Sequence, residues 1–340
     1  MQQFKRRGVA NPEPIPGYAP WISNVLRNRG QDTQEKADRF MHPAWEQLHD
    51  PFLMPGMAKV VELIRAAIAG AQRILIYGDY DCDGVCATSI LTETLLEMGA
   101  LVDWRIPKRE GEGYGLNKAA VQEVAGTYQL LITVDCGITN LEEVALAKQL
   151  GMSVIVTDHH QLGDTLPSAD AILNPLREGY PFHYLCGAGV AFKLTQALQG
   201  DEAARRRLDL AALATVADLV PLVDENRVLV SLGLQAIPAS TRPGMQALLT
   251  VAGCGPALTS TDLAFRLAPR INAGGRLDDA AQCVSLFLCQ DITEAQERAD
   301  KLNAENLERQ TLQQKITQEA LECIPQQVDF RNDNAIILTG

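Results

Sequence analysis

Three short apolar runs each lead into an aspartate: Arg73–Tyr77 into Gly78-Asp79, Leu130–Val134 into Asp135, and Ser153–Thr157 into Asp158-His159-His160. A fourth apolar run covers 101–106, and stretches with helical periodicity, Val85–Met98 and Leu141–Leu150, lie between the runs. From Arg73 to about Asn174, strand and helix signals therefore alternate, the pattern of an α/β chain with a doubly wound, mostly parallel sheet. The carboxyl ends of parallel strands share one edge, where ligands bind. The fold would therefore gather aspartates that are far apart in the chain.

Asp79 also opens a denser group, Asp79-Tyr-Asp81-Cys-Asp83-Gly84. A helix N-cap accounts for one acid in a strand-to-helix loop. It does not account for Asp79, Asp81, Asp83, Asp135 and Asp158 together with two histidines. Carboxylates packed so closely repel unless cations sit among them, and divalent metal is the simplest reading.

The chain has 340 residues, enough for about two domains, and its 46% hydrophobic content is that of a globular protein with a real core. Its eight cysteines form no Cys-x-x-Cys pair, and Cys86, Cys283 and Cys289 fall in apolar helical segments, as reduced thiols do in a cytosolic protein. The N-terminus lacks an apolar signal region, and no run approaches the ~18 apolar residues of a membrane span. The expected location is cytoplasmic, with no membrane contact. A net charge of -12 argues against a sequence-independent DNA coat, because binding to a phosphate backbone normally needs a basic footprint. Nucleic-acid contact would be local, at Lys108/Arg109, Arg205–Arg207, Arg266, Arg270 or Arg276.

The expected organisation is an N-terminal arm (1–55), a catalytic α/β domain (56–240) that opens with a helix over Met57–Ala69, and a helical extension (241–290) with breaks at Pro243 and Gly253–Pro256. A thin apolar stripe (Ala295, Ala299, Leu302, Leu307, Leu312, Ile316, Ala320) predicts a long connector helix over 291–325. Residues 326–340, with a strand at Asn334–Gly340, read as the start of a truncated second domain.

Tyr77–Gly84, Thr133–Gly137, Thr157–His160 and Ala217–Leu222 resemble, in order and spacing, the four motifs of the DHH phosphoesterases. The flanking blocks Gly113–Leu116, Gly187–Phe192 and Ala268–Asp278 extend the resemblance over roughly residues 55 to 325 and are most similar to its single-strand-specific 5′-to-3′ exodeoxyribonuclease branch. The resemblance implies the DHH phosphoesterase fold and two Mn²⁺ or Mg²⁺ ions bridged by Asp135. Asp79 and Asp81 would serve one ion; Asp83, His159 and Asp218 would serve the other. Asp135, His159 and His160 would form the catalytic set, with His160 hydrogen-bonding a non-bridging oxygen of the scissile phosphate. Asp218 lies near the end of the apolar helix Leu210–Leu219, where the helix dipole disfavours an acid by about 0.3–1 kcal/mol, and metal ligation explains its presence there.

Further expectations follow from the same resemblance. Arg109 would bind the terminal 5′-phosphate, Tyr114 would stack on a base, and Asn272 and Arg276 would touch the strand backbone. The substrate would be single-stranded DNA with a free 5′ end, hydrolysed to mononucleotides during DNA repair and recombination by a monomer that meets single-strand-binding protein or a helicase. Cys82 and Cys136 stand inside motifs as spacers, since Mn²⁺ and Mg²⁺ prefer oxygen. The chain ends at Gly340 without the DHH-associated and oligonucleotide-binding-fold domains of that branch. Two alternatives remain open: a small-substrate member of the superfamily (oligoribonuclease, cyclic-dinucleotide phosphodiesterase or manganese pyrophosphatase), and a non-catalytic replisome-associated protein of the same fold.

Overall fold

The structure, a computed structural model, describes residues 13–108, 111, 113, 115–277 and 280–327. Helices α1 (Pro20–Asn28) and α2 (Gln34–Met41) come first, followed by α3 (Met57–Ala69), β1 (Arg73–Tyr77), α4 (Cys82–Glu97) and β2 (Leu101–Arg105). Then follow α5 (Lys118–Val124), β3 (Leu130–Val134), α6 (Leu141–Gln149), β4 (Ser153–Thr157) and β5 (Ala171–Leu173). The remainder is helical: α7 (Gly187–Gln199), α8 (Asp201–Arg205), α9 (Leu208–Ala217), α10 (Asp224–Ala236) and α11 (Pro243–Ala252). A single turn, α12 (Ser260–Asp262), runs into a π-helical turn at Leu263–Leu267 and on into α13 (Ala268–Leu277), α14 (Ala281–Leu288) and α15 (Ile292–Gln327).

The five strands form one fully parallel sheet in the order β2-β1-β3-β4-β5. Side chains alternate between its faces. Ile74, Ile76, Leu130, Ile132 and Ile155 enter one core with α3, α4, α7 and α9, while Leu75, Tyr77, Leu131, Val154 and Val156 enter a second with α5 and α6. Helices cover both faces, so the central strands are apolar throughout rather than alternating. The expected doubly wound parallel sheet is what the chain forms. Helix α4 begins already at Cys82, because Asp81 caps it, whereas apolar periodicity becomes readable only at Val85. Strand β5 was not anticipated; at three residues it is too short to show a period.

The N-terminal segment is tied to the α/β core by a buried ion pair. Lys193 Nζ on α7 lies 3.1 Å from Glu225 Oε1 on α10, and both side chains are fully buried. Lys193 also donates to the His49 carbonyl, the His49 N–H donates to Glu225 Oε1 (3.0 Å), and the Tyr180 hydroxyl donates to Glu225 Oε2 (2.6 Å). Trp45 and Met54 are buried in the same core. Further along, the first turns of α15 pack on α11 and α13 through Ala295, Ala299 and Leu302, whereas Leu312, Ile316 and Leu321 are exposed. Among the described residues no helix is long and apolar enough to cross a membrane. The expected strand at Asn334–Gly340 lies outside the described residues.

Candidate metal centre

Strand register brings the aspartates level. Tyr77 pairs with Thr133, and Thr133 with Val156, so Asp79, Asp135 and Asp158, each two residues further on, emerge side by side at the carboxyl edge. The chain winds from β1 outward to β2 and then back across to β3, which makes the β1/β3 gap the switch point where ligands settle in such sheets. After β1 the chain turns tightly into α4. The turn needs Gly84, where a Cβ would lie 2.4 Å from the Asp79 carbonyl oxygen.

Each side chain has a defined setting. Asp81 Oδ1 accepts the Asp83 and Gly84 N–H groups (2.8 and 3.0 Å), so one oxygen caps α4. Asp83 is buried at the N-terminus of α7, where its two oxygens accept the Gly187 and Ala188 N–H groups (2.6 and 2.8 Å). Asp135 adopts a left-handed φ of 59° and is buried, with His159 Nε2 3.1 Å from its Oδ1. His159 Nε2 lies 3.7 Å from Asp83 and 3.8 Å from Asp218, which follows the last residue of α9. Asp158 Oδ1 accepts the N–H groups of His159 and His160 and lies 2.7 Å from His160 Nδ1, while its Oδ2 accepts the Ile138 N–H.

Three groups of side chains have potential donor atoms within 4.8 Å of one another: Asp79/Asp81/Asp135, Asp83/His159/Asp218 and Asp135/His159/His160. The donors are hard oxygens plus imidazole, suited to Mn²⁺ or Mg²⁺. Asp79 Oδ1 is buried with no hydrogen-bond donor, an expensive position for a carboxylate unless a cation is bound there. Electrostatics agree. Burial, then the Asp81 charge, pushes Asp79 up to about 7, and burial, then Asp83, pushes Asp218 up to about 8. Burial and then Asp83 also raise Asp81 and, by much more, Asp135. The hydrogen bond to Asp158 raises His160. Burial alone would raise Asp158, but the His160 hydrogen bond and charge hold it below its ordinary value.

The raised carboxyls fix a pH dependence. Without metal, the unfolded chain releases these protons near 3.8 and the folded chain near 7 and 8, so the cluster's contribution to stability falls as pH climbs through that window. Divalent cations bind only the deprotonated form. The Mn²⁺-induced rise in melting temperature, measured against chelator, should therefore grow between about pH 5 and pH 8. An equal rise at both ends would argue against ion binding by this cluster.

Asp135 owes its position to Gly187, where a Cβ would meet the Asp135 Cβ, Oδ1 and Cγ at 2.5–2.7 Å. Gly187→Ala should displace that carboxylate and lower Mn²⁺ affinity by about 10–100-fold, the usual range for residues that orient ligands. Calorimetric titration that gave wild-type affinity would refute the packing argument.

Of the anticipated substrate residues, Arg109 and Tyr114 lie outside the described residues, as does the side chain of Arg276, although α13 carries its backbone. Asn272 Oδ1 accepts the Cys82 N–H (2.8 Å), so this side chain braces the start of α4. Several basic candidates hold the fold together. The Arg205 guanidinium sits 3.9 Å over the Trp45 ring, Arg207 pairs with Glu93 and Glu97, and Arg266 donates to the Ala252 and Gly253 carbonyls that end α11. Two roles are visible only in the structure. The sequence marks Asp158 as one acid of the cluster, and the fold shows it orienting His160; the sequence marks Gly187 only within the block Gly187–Phe192, and packing shows that a Cβ there would strike Asp135.

Residues 73–217 match the DHH family, N-terminal domain. The chain is 44% identical over 313 residues to the single-stranded-DNA-specific exonuclease RecJ of Bacillus subtilis (strain 168), covering 91% of this chain and 40% of that protein. It is 40% identical over 342 residues to RecJ of Escherichia coli (strain K12), covering 94% and 58%. The chain thus spans about half the length of the curated relatives it matches. Among solved structures, exonuclease RecJ bound to manganese superposes with a TM-score of 0.76 at 38% identity, covering 82% of this chain and 71% of that one. RecJ from Thermus thermophilus in complex with Mn²⁺ gives 0.77 at 35%, covering 89% and 43%.

Proposed function

Since the chain belongs to the DHH family, within its RecJ members, we propose that it is a metal-dependent exonuclease that hydrolyses single-stranded DNA from the 5′ end. The observation that carries this reading is the pair of donor groups, Asp79/Asp81/Asp135 and Asp83/His159/Asp218, side by side at the switch point of the sheet. Asp135 belongs to one group and lies 3.1 Å from His159 of the other, so it would help to hold an ion in each. Two divalent cations, Mn²⁺ or Mg²⁺, would supply the positive charge that neutralises the phosphate and lowers the pKa of water.

The protein side of the chemistry follows from the settings above. Asp83 is fixed by two N–H groups of α7 and Asp81 by its own cap, so neither ligand needs to reorganise when the phosphate arrives. Asp158 holds Nδ1 of His160 and favours the imidazolium, so Nε2 is the nitrogen that donates to a non-bridging oxygen of the scissile phosphate. Arg109 receives the terminal 5′-phosphate, Tyr114 stacks on a base, and Arg276 reaches the backbone. Such an enzyme would work in DNA repair and recombination in the cytoplasm, as a monomer, on strands exposed by a helicase or held by single-strand-binding protein.

Incubation with end-labelled single strands and Mn²⁺ tests the proposal. Mononucleotides should be released from the 5′ end, with duplex resistant and chelator abolishing release. Arg109→Ala should weaken binding of 5′-phosphorylated strands more than 5′-hydroxyl strands. Release from the 3′ end, or none with Mn²⁺, would overturn the proposal; equal weakening of both ends would remove Arg109 from the phosphate site.

A further inference from the structure

The two most exposed large apolar side chains among the described residues are Leu219 (85%) and Phe265 (75%). They come from distant parts of the chain and line one groove of about 260 Å³, with Val216, Val220 and Ala264 in its wall. Each stands at a backbone irregularity. Leu219 has a left-handed φ of 59°, a conformation that strains a residue with a branched side chain. Phe265 is the central residue of the π-helical turn Leu263–Leu267, whose ends, Leu263 and Leu267, are buried in the core while the wide turn presents Phe265 to solvent. Such turns concentrate at functional sites. Neither exposed ring nor exposed branch returns packing energy to the fold.

Position and chemistry indicate the occupant. Leu219 directly follows Asp218, whose Oδ2 is 3.8 Å from His159 Nε2, so the groove begins one residue from the metal centre. No charged residue lines it; beside the apolar side chains it holds only the hydroxyls of Thr215, Ser260 and Thr261, of which Thr215 already donates to the Ala211 carbonyl, so it favours an apolar face over a phosphate. A strand whose phosphate sits at the metal centre must place a base to one side of it, and bases bind apolar and aromatic faces with little sequence preference. We propose that Leu219 and Phe265 form a shelf for one nucleobase of the single strand beside the scissile phosphate. The shelf deepens the exonuclease reading and rests on it.

The test uses the 340-residue chain and the variant Leu219→Gly/Phe265→Ser. Both side chains are exposed, and glycine relieves the left-handed strain, so the variant should melt no lower than the unaltered chain. Binding of a short 5′-phosphorylated, fluorescent single strand is followed by anisotropy in Ca²⁺, together with strands carrying an abasic residue at successive positions. The variant's Kd should rise about tenfold on the normal strand. At one position the abasic residue should weaken binding to the unaltered chain but make no difference to the variant. Had Asp218 merely been displaced, the variant would remain sensitive to that base. Unchanged Kd, or equal abasic sensitivity in both proteins, overturns the shelf and assigns the groove to a protein contact. Mn²⁺-dependent cleavage read in parallel separates the two ideas. Weakened binding without cleavage by the unaltered chain overturns the exonuclease and keeps the shelf, and cleavage with unchanged binding does the reverse.

Discussion

Replacing Asp135 by alanine should abolish metal-dependent hydrolysis while leaving a folded protein. Asp135 belongs to one proposed ion group with Asp79 and Asp81 and lies 3.1 Å from His159 of the other, so in the proposed arrangement its loss would weaken both ion sites. The fall in turnover should be at least about 10³-fold, beyond the 10²–10³ typical of removing one transition-state donor. Stability should change little. Burial, then the neighbouring acids, raise this carboxyl far above its ordinary range, so removing it relieves the cost of holding that group inside the metal-free chain. Alanine in a left-handed conformation returns a cost of about 1–2 kcal/mol. Asp135→Asn keeps the shape and tolerates that backbone, and should be equally inactive. The Mn²⁺-induced rise in melting temperature should shrink in both variants. Near-normal hydrolysis by either folded variant would end the two-ion reading.

The largest loss of stability should come from Lys193→Met, on the same helix whose first turn holds Asp83. It would leave Glu225 as a buried carboxylate held only by the Tyr180 hydroxyl and the His49 N–H. Breaking one side of a buried ion pair costs about 3–5 kcal/mol, because the remaining charge has no compensation. The segment around Trp45 and His49 should loosen with it, since Lys193 also holds the His49 carbonyl. Adding Glu225→Gln removes the stranded charge; its amide oxygen can accept the His49 N–H and its NH2 can donate to the Tyr180 hydroxyl, so the double variant should regain much of the loss. Denaturant melts of the four proteins measure the coupling; additive single effects would show that the pair does not act as a unit.

The sheet, the metal centre and their joint position were legible because they follow from local, periodic signals. Four apolar runs announced β1 to β4, and the aspartates at the ends of three of them announced the edge where they meet. What escaped was short or non-local. Strand β5 is defined by pairing with β4; for Asn272 and Gly187, which the sequence does mark, what escaped is the contact, the reach to the start of α4 and the carboxylate packed against the glycine. The arginines illustrate the same divide: sequence shows charge, while only packing shows that Arg207 and Arg266 are already engaged within the fold.

The order of apolar runs and acids by itself determined an α/β chain with a cation site at one sheet edge, since strand polarity and charge repulsion act on neighbours along the chain. Tertiary structure alone decided which oxygens are committed to helix N-termini, which histidine nitrogen Asp158 holds, and that Leu219 and Phe265 share one groove. Those outcomes depend on contacts between distant segments, such as Asp83 with Gly187, 104 residues apart, and no local pattern encodes a distance across the fold.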